Sequence, residues 1–273
     1  MATTMERPGT EPVHPKPKRK APWPVEFYRS AVGKKWVMAL TGIMLMGFVF
    51  FHAFGNLKVY LGARHMNEYG EFLREILVPI LPRTVFLWIL RTGLTLAFVF
   101  HIHSAYSLTR MNRRARGTGY EQSRDWQAAN IASKSMRWTG VIVGLFVIFH
   151  LSDLTWGITN PNYVRGDVYR NLLASFSRPG IAIVYIVANV ALSIHLFHGS
   201  WSMFQSLGLN NPRWNSWRRT FAIGFATVVG VMNISFPLAV MTHVLDAKDN
   251  PDCRMRGDVI VDCTQYQQKE ATS

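Results

Sequence analysis

The chain has 273 residues, 49% of them hydrophobic and only 17% charged, a balance that argues against ordinary soluble domains and for a bilayer. Its formal net charge of +14 and the run Lys16-Pro-Lys-Arg-Lys20 superficially suggest a nucleic-acid footprint. The charges, however, sit in short segments between long apolar runs. That is how Lys and Arg are retained on the cytoplasmic side of a membrane protein, so no nucleic-acid partner is expected.

Residues 1–30 are rich in Pro, Lys and Arg and contain no apolar signal-peptide core, so they are read as a cytoplasmic N-terminal tail. Residues 31–246 hold five apolar segments, roughly 36–58, 84–108, 137–158, 179–206 and 219–245. Each is long enough to cross a hydrocarbon core of about 30 Å at about 1.5 Å per residue, which predicts an all-α integral membrane bundle of five transmembrane helices. Trp36, Trp88, Trp138, Trp156, Trp201 and Trp217 fall toward segment ends, as an aromatic belt requires.

Between the first two segments, Met66, Tyr69, Phe72, Leu73, Ile76 and Leu77 recur at helical spacing beside charged residues, which predicts an interfacial helix over the bundle. Lys34, Lys35, Arg110, Arg113, Arg114, Arg116, Arg124, Lys134, Arg213, Arg218 and Arg219 place the N-terminal segment and the 109–136 and 207–219 connections inside. The 59–83 and 159–178 connections and the polar C-terminal tail, 247–273, then lie outside. Cys253 and Cys263, both in that tail, could pair there or remain separate thiols; no CxxC or Cys/His zinc pattern is present.

Ionisable side chains are costly inside a bilayer and mark function there, and His52, His101, His103, His150, His195 and His198 all fall within the first four segments. One membrane histidine is readily a hydrogen-bonded packing residue. Six form a pattern, because the expected topology puts His52 and His150 in the outer thirds of helices one and three and His101 and His198 in the inner thirds of helices two and four. The two levels are expected on the order of 20 Å apart.

Facing histidines from different helices of a four-helix arrangement are what bis-imidazole haem ligation needs, so two haems b are expected between helices one to four. His52, His101, His150 and His198 are also nearly evenly spaced along the chain. His101 and His103 point in nearly opposite directions and only one can face a given haem, whereas His195 and His198 share a face and either could ligate. Zinc at the His195–His198 pair would lack a visible third ligand. Arg91, inside helix two toward its outer end, calls for an anionic partner such as an outer haem propionate, or else snorkels to the interface.

These features resemble the cytochrome b membrane subunit of succinate dehydrogenases and fumarate reductases, in the subclass with one five-helix, two-haem anchor. The resemblance runs from about Ser30 to Leu209. Its most specific piece is Ser30-Ala-Val-Gly-Lys-Lys-Trp-Val-Met-Ala-Leu-Thr-Gly42, followed by Phe51-His52 and Gly55-Asn56-Leu57. Phe100-His101, Leu108-Thr-Arg-Met-Asn-Arg-Arg-Ala-Arg116, Phe149-His150-Leu151, His195-Leu-Phe-His-Gly-Ser200 and Gln205-Ser-Leu-Gly208 continue it in order.

The resemblance favours His101 over His103 and His198 over His195, giving outer ligands His52 and His150 and inner ligands His101 and His198. It further implies a cell-membrane complex with a flavoprotein that oxidises succinate and an iron–sulfur subunit, and a quinone, often menaquinone, as acceptor. Those chemistries are not encoded in this chain, which has no dinucleotide fingerprint and no iron–sulfur Cys motif. Some fumarate-reducing relatives carry a glutamate two residues before the inner helix-four histidine; counted from His198, that position here is Leu196. Glu68, Glu71 and Glu75 are either proton-handling groups at an outer quinone site or solvated interfacial charges. A haem-poor anchor of the same complex and a histidine-lined transporter are the rival readings.

Overall fold

The computed structural model describes residues 21–115, 128–209, 211–246, 254–256 and 259–262. The basic run 16–20, Arg116, Arg124, Cys253 and Cys263 lie outside the described residues, as does the pairing of the two cysteines.

Among the described residues, five helical stretches are long and apolar enough to cross a membrane: Ala31–Leu61, Val85–Ala115, Ser135–Leu154, Pro179–Ser206 and Asn215–Met241. They belong to α2 (Ala31–Asn56, extended by a 3₁₀ turn, Leu57–Leu61), α4 (Val85–Ala115), α5 (Ala128–Leu154), α7 (Pro179–Ser206) and α8 (Pro212–Met241). Local chemistry sets their starts. The Ser30 hydroxyl accepts the Gly33 amide at 2.9 Å at the head of α2. Pro179 and Pro212, which lack an amide hydrogen that would otherwise be orphaned, open α7 and α8.

Shorter elements close the two ends. α1 (Trp23–Arg29) meets α2 at Ser30. At the opposite end, α3 (Ala63–Glu75) is the helix that the periodicity predicts, beginning three residues before Met66 and ending short of Ile76 and Leu77, where the chain turns out of helix with Leu77 at φ 70°. It packs on α6 (Val168–Phe176), which lies in the 159–178 connection and was not foreseen. The Asp167 carboxylate caps α6 by accepting the Arg170 amide at 3.0 Å and takes a hydrogen bond from Asn67 of α3 at 3.1 Å. Val59, Ala63, Met66, Tyr169, Leu173 and Phe176 form the apolar layer of this capped end, meeting Tyr185 of α7 and Phe236 of α8. In the expected polar tail, β1 (Arg254–Arg256) and β2 (Val259–Asp262) pair antiparallel.

The helices are arranged as α2 against α4 and α5 against α7, with α7 reaching α2 and carrying α8. A second apolar cluster, with Leu196, Ala226 and Val229 buried and Met46, Phe50 and Phe225 packed on them, joins α2, α7 and α8. The two helix pairs therefore flank a cleft. The basic end opposite the cap carries Lys35, Arg113, Arg114, Arg213 and Arg219, all exposed, whereas two basic residues counted with them are structural. Lys34 is buried with its Nζ 2.8 Å from the Tyr28 carbonyl, and Arg218 is buried and donates to the Leu209 carbonyl at 3.1 Å.

Candidate functional site

Two pairs of histidines face each other between the two helix pairs. Near the capped end, His52 of α2 meets His150 of α5 with ring centroids 6.0 Å apart. Nearer the basic end, His101 of α4 meets His195 of α7 at 6.5 Å. The His101 Nδ1 lies 3.4 Å from the Thr41 hydroxyl, and Thr41 is eleven residues before His52 on α2; Thr139, beside His195 at 3.3 Å, is eleven residues before His150 on α5. At about 1.5 Å per residue the two levels are about 16 Å apart along these helices.

The inner pair departs from the expectation drawn from spacing and resemblance. His195, and not His198, stands opposite His101. His198 packs on Phe197 and lines, with Val190, Ile194, Ile223 and Ala226, a groove of about 530 Å³ between α7 and α8. The residue two before His195 is Ser193, whose hydroxyl donates to the Asn189 carbonyl at 2.8 Å, so neither count from a helix-four histidine meets a carboxylate. Leu196 is buried in the α2–α7–α8 cluster.

His103 behaves as the helical geometry requires. It points away from His101 to Tyr28 of α1, whose hydroxyl is 2.5 Å from its Nδ1 and whose ring stacks on it. Arg91 is exposed, with its guanidinium over the Trp88 ring at 5.2 Å. Ten residues before His101 on α4, it lies about 15 Å nearer the capped end, at the level of His52 and His150. Glu68 pairs with Arg64 at 2.9 Å, Glu71 with Arg74 and Arg83, and Glu75 with Arg83 at 3.5 Å. These glutamates are partly exposed and ion-paired, the arrangement of interfacial charges.

Tautomers follow from the inner partners. The His101 Nδ1 lies 3.2 Å from the Met38 carbonyl, which can only accept, so Nδ1 carries the hydrogen and Nε2 keeps its lone pair. His195 has the Thr139 hydroxyl at its Nδ1, the counterpart of Thr41 at His101. An imidazole so fixed is prepared to bind a metal through Nε2. Metal–nitrogen bonds of about 2 Å on each side, with the size of an imidazole ring, put the centroids of two axial ligands about 6 to 6.5 Å apart. Both pairs meet that spacing, so the residues present fit bis-histidine haem. Among the described residues, no three His, Cys, Asp or Glu side chains converge as a metal-binding group.

Sequence reasoning missed a buried charge beside the capped-end pair. Asp153, one turn after His150, is fully buried and accepts from the Arg178 guanidinium at 2.7 Å, Thr159 at 3.2 Å, Tyr185 at 3.1 Å and the Ser175 hydroxyl. Tyr185 in turn packs edge-on against His150, centroids 5.9 Å apart. The signal was available, since Asp153 is the one acidic residue in the apolar segment 137–158.

Residues 110–234 match the model of a protein family described as the succinate dehydrogenase/fumarate reductase transmembrane subunit. No curated protein and no solved structure gives a match. The matched stretch takes in His150, Asp153, Arg178, Tyr185 and His195, while His52 and His101 precede it. Over that stretch the chain is similar to the membrane subunits of succinate dehydrogenase and fumarate reductase, which supports the family to which the sequence motifs also point.

Proposed function

We propose that the chain is the membrane cytochrome subunit of a succinate dehydrogenase or fumarate reductase complex, holding two haems b: an outer one between His52 and His150 and an inner one between His101 and His195. The observation that carries this reading is the two cross-cleft imidazole pairs at axial-ligand spacing, on two levels of one bundle. His195 replaces His198 as the fourth ligand because it faces His101 and has the Thr139 hydroxyl at its Nδ1, as His101 has that of Thr41.

Bound there, haem supplies the one-electron chemistry that links an iron–sulfur partner to a quinone. His52, His150, His101 and His195 would hold it, with Thr41 and Thr139 at the inner imidazoles and the apolar helix faces shielding it from water. Arg91, at the outer level, is the cation assigned to an outer propionate. The exposed basic end around Arg113, Arg114, Arg213 and Arg219 is the docking face for the iron–sulfur and flavoprotein partners, which orients it to the cytoplasm and the cap outward. Succinate oxidation belongs to those partners. Quinone, with menaquinone the type implied by resemblance, is the membrane-side substrate.

The test is a dithionite-reduced minus oxidised optical spectrum of the purified complex, with haem and protein both quantified. Two haems b per chain are expected. A complex of intact composition without haem would instead be a structural anchor.

A further inference from the structure

We propose that Thr41–Gly42 on α2 and Thr139–Gly140 on α5 are two equivalent clamps, generated by an internal repeat, that position the inner ligands His101 and His195 and set the potential of the inner haem. The inference rests on the haem reading above and assigns positioning residues to it.

The repeat is visible once the fold is known. Residues 38–52 and 136–150 align at a constant offset, with Met38 matching Met136, Thr41-Gly42 matching Thr139-Gly140, and Phe51-His52 matching Phe149-His150. The helix that follows each repeat along the bundle, α4 or α7, contributes the histidine held by that repeat's Thr and Gly. The cleft is thus lined by two related halves, α2–α4 and α5–α7, each giving one imidazole to each level.

Both halves present the same groups to the inner histidine. Thr41 donates its hydroxyl hydrogen to the Val37 carbonyl at 2.7 Å, and Thr139 donates to the Ser135 carbonyl at 2.8 Å. Each hydroxyl oxygen then has only lone pairs to offer, and each faces an Nδ1, at 3.4 Å in His101, where it shares the hydrogen with the Met38 carbonyl at 3.2 Å, and at 3.3 Å in His195. The glycines let the rings lie against the helix. A Cβ on Gly42 would sit 3.4 Å from His101 Cε1, and one on Gly140 would sit 3.4 Å from His195 Cε1, at the near edge of van der Waals contact.

Among the described residues the outer ligands have no such hydroxyl at Nδ1. The repeat supplies Phe48 stacked on His52 at 5.2 Å and Phe146 beside His150 at 5.8 Å, and His150 Nδ1 is buried with no hydrogen-bond partner among the described residues. An Nδ1–H that donates makes its imidazole a stronger donor to ferric iron and lowers the potential. The clamps therefore act on the inner haem alone, and from both sides.

The experiment is redox potentiometry and haem quantification on the intact complex carrying Thr41→Val, Thr139→Val or the corresponding Ser substitutions, with His52→Ala identifying the inner haem. Each Val variant is expected to move the inner midpoint upward by a similar amount and leave the outer one unmoved, while each Ser variant stays at the parent value. Unchanged inner potentials in both Val variants overturn the proposal, as does a shift on one side only. If a Val variant loses the inner haem, its Ser counterpart must hold that haem at the parent potential, and failure to do so also overturns it. A parent complex without haem would sink the ligand reading itself, a result distinct from any of these.

Discussion

Thr139 stands to His195 as Thr41 stands to His101: a hydroxyl 3.3 or 3.4 Å from Nδ1, on a helix that carries an outer-level histidine eleven residues later. This equivalence selects one of two histidines that share a face of α7. His195 takes the position across the cleft, and His198, one turn on, lies along the groove against α8.

His195→Ala is therefore expected to lower haem content from two per chain to one, with the inner haem missing, and His198→Ala to leave both. His101→Ala should match His195→Ala. His103→Ala should keep both haems, because that ring is engaged by Tyr28 at the edge of the bundle. Haem quantification of the purified variants decides this, and the reverse result for His195 and His198 would restore the ligand set implied by the motif alone.

At the other level, His52→Ala and His150→Ala are each expected to remove the outer haem and spare the inner one. Since the two rings come from different repeats and meet only across the cleft, loss of either should have the same spectral consequence. A variant of either residue that keeps two low-spin haems would disprove their pairing.

Much of this was legible in the sequence, because a bilayer enforces a simple code. Apolar runs of fixed length gave all five crossings, and helical periodicity around Met66 gave the helix α3. Opposed directions for His101 and His103 followed from helix geometry and hold in the structure. The choice on α7 was not legible: the family motif favours His198, whereas the structure puts His195 opposite His101, and a motif does not say which ring meets a ring on another helix. α6 was hidden because its buried polar residues, Asn171 and Ser175, look like loop composition until Val164 and Asp153 partner them. Lys34 and Arg218 looked like surface charge because their backbone-carbonyl partners have no sequence signature.

Arg91 is the residue whose surroundings admit a direct electrostatic test. Arg91→Gln removes a positive charge at the level of His52 and His150. With a propionate as its partner, the outer haem should be retained at a lower potential while the inner haem is unchanged. Identical potentials in parent and variant would assign the guanidinium to Trp88 at the membrane face.

Asp153 and Arg178 form the remaining test, one of stability. The carboxylate is fully buried, and Arg178 stands at the N-cap position of α7, so the pair ties α5 to the start of α7 beneath the cap. Removing one member of a fully buried pair costs about 3–5 kcal/mol, and because the Arg178 side chain is 31% exposed the loss here should fall below that. Asp153→Ala should lower the apparent Tm of the purified protein, and Arg178→Met should lower it less because Tyr185, Thr159 and Ser175 still bond the carboxylate. Substituting both, Asp153→Leu with Arg178→Met, should recover part of the loss, since two apolar groups leave no stranded charge. Tyr185 connects the pair to His150, so the Asp153→Ala protein should shed its outer haem before its inner one on heating. Simultaneous loss of both haems, or a double variant no more stable than Asp153→Ala, would show that the pair does not act locally on the outer level.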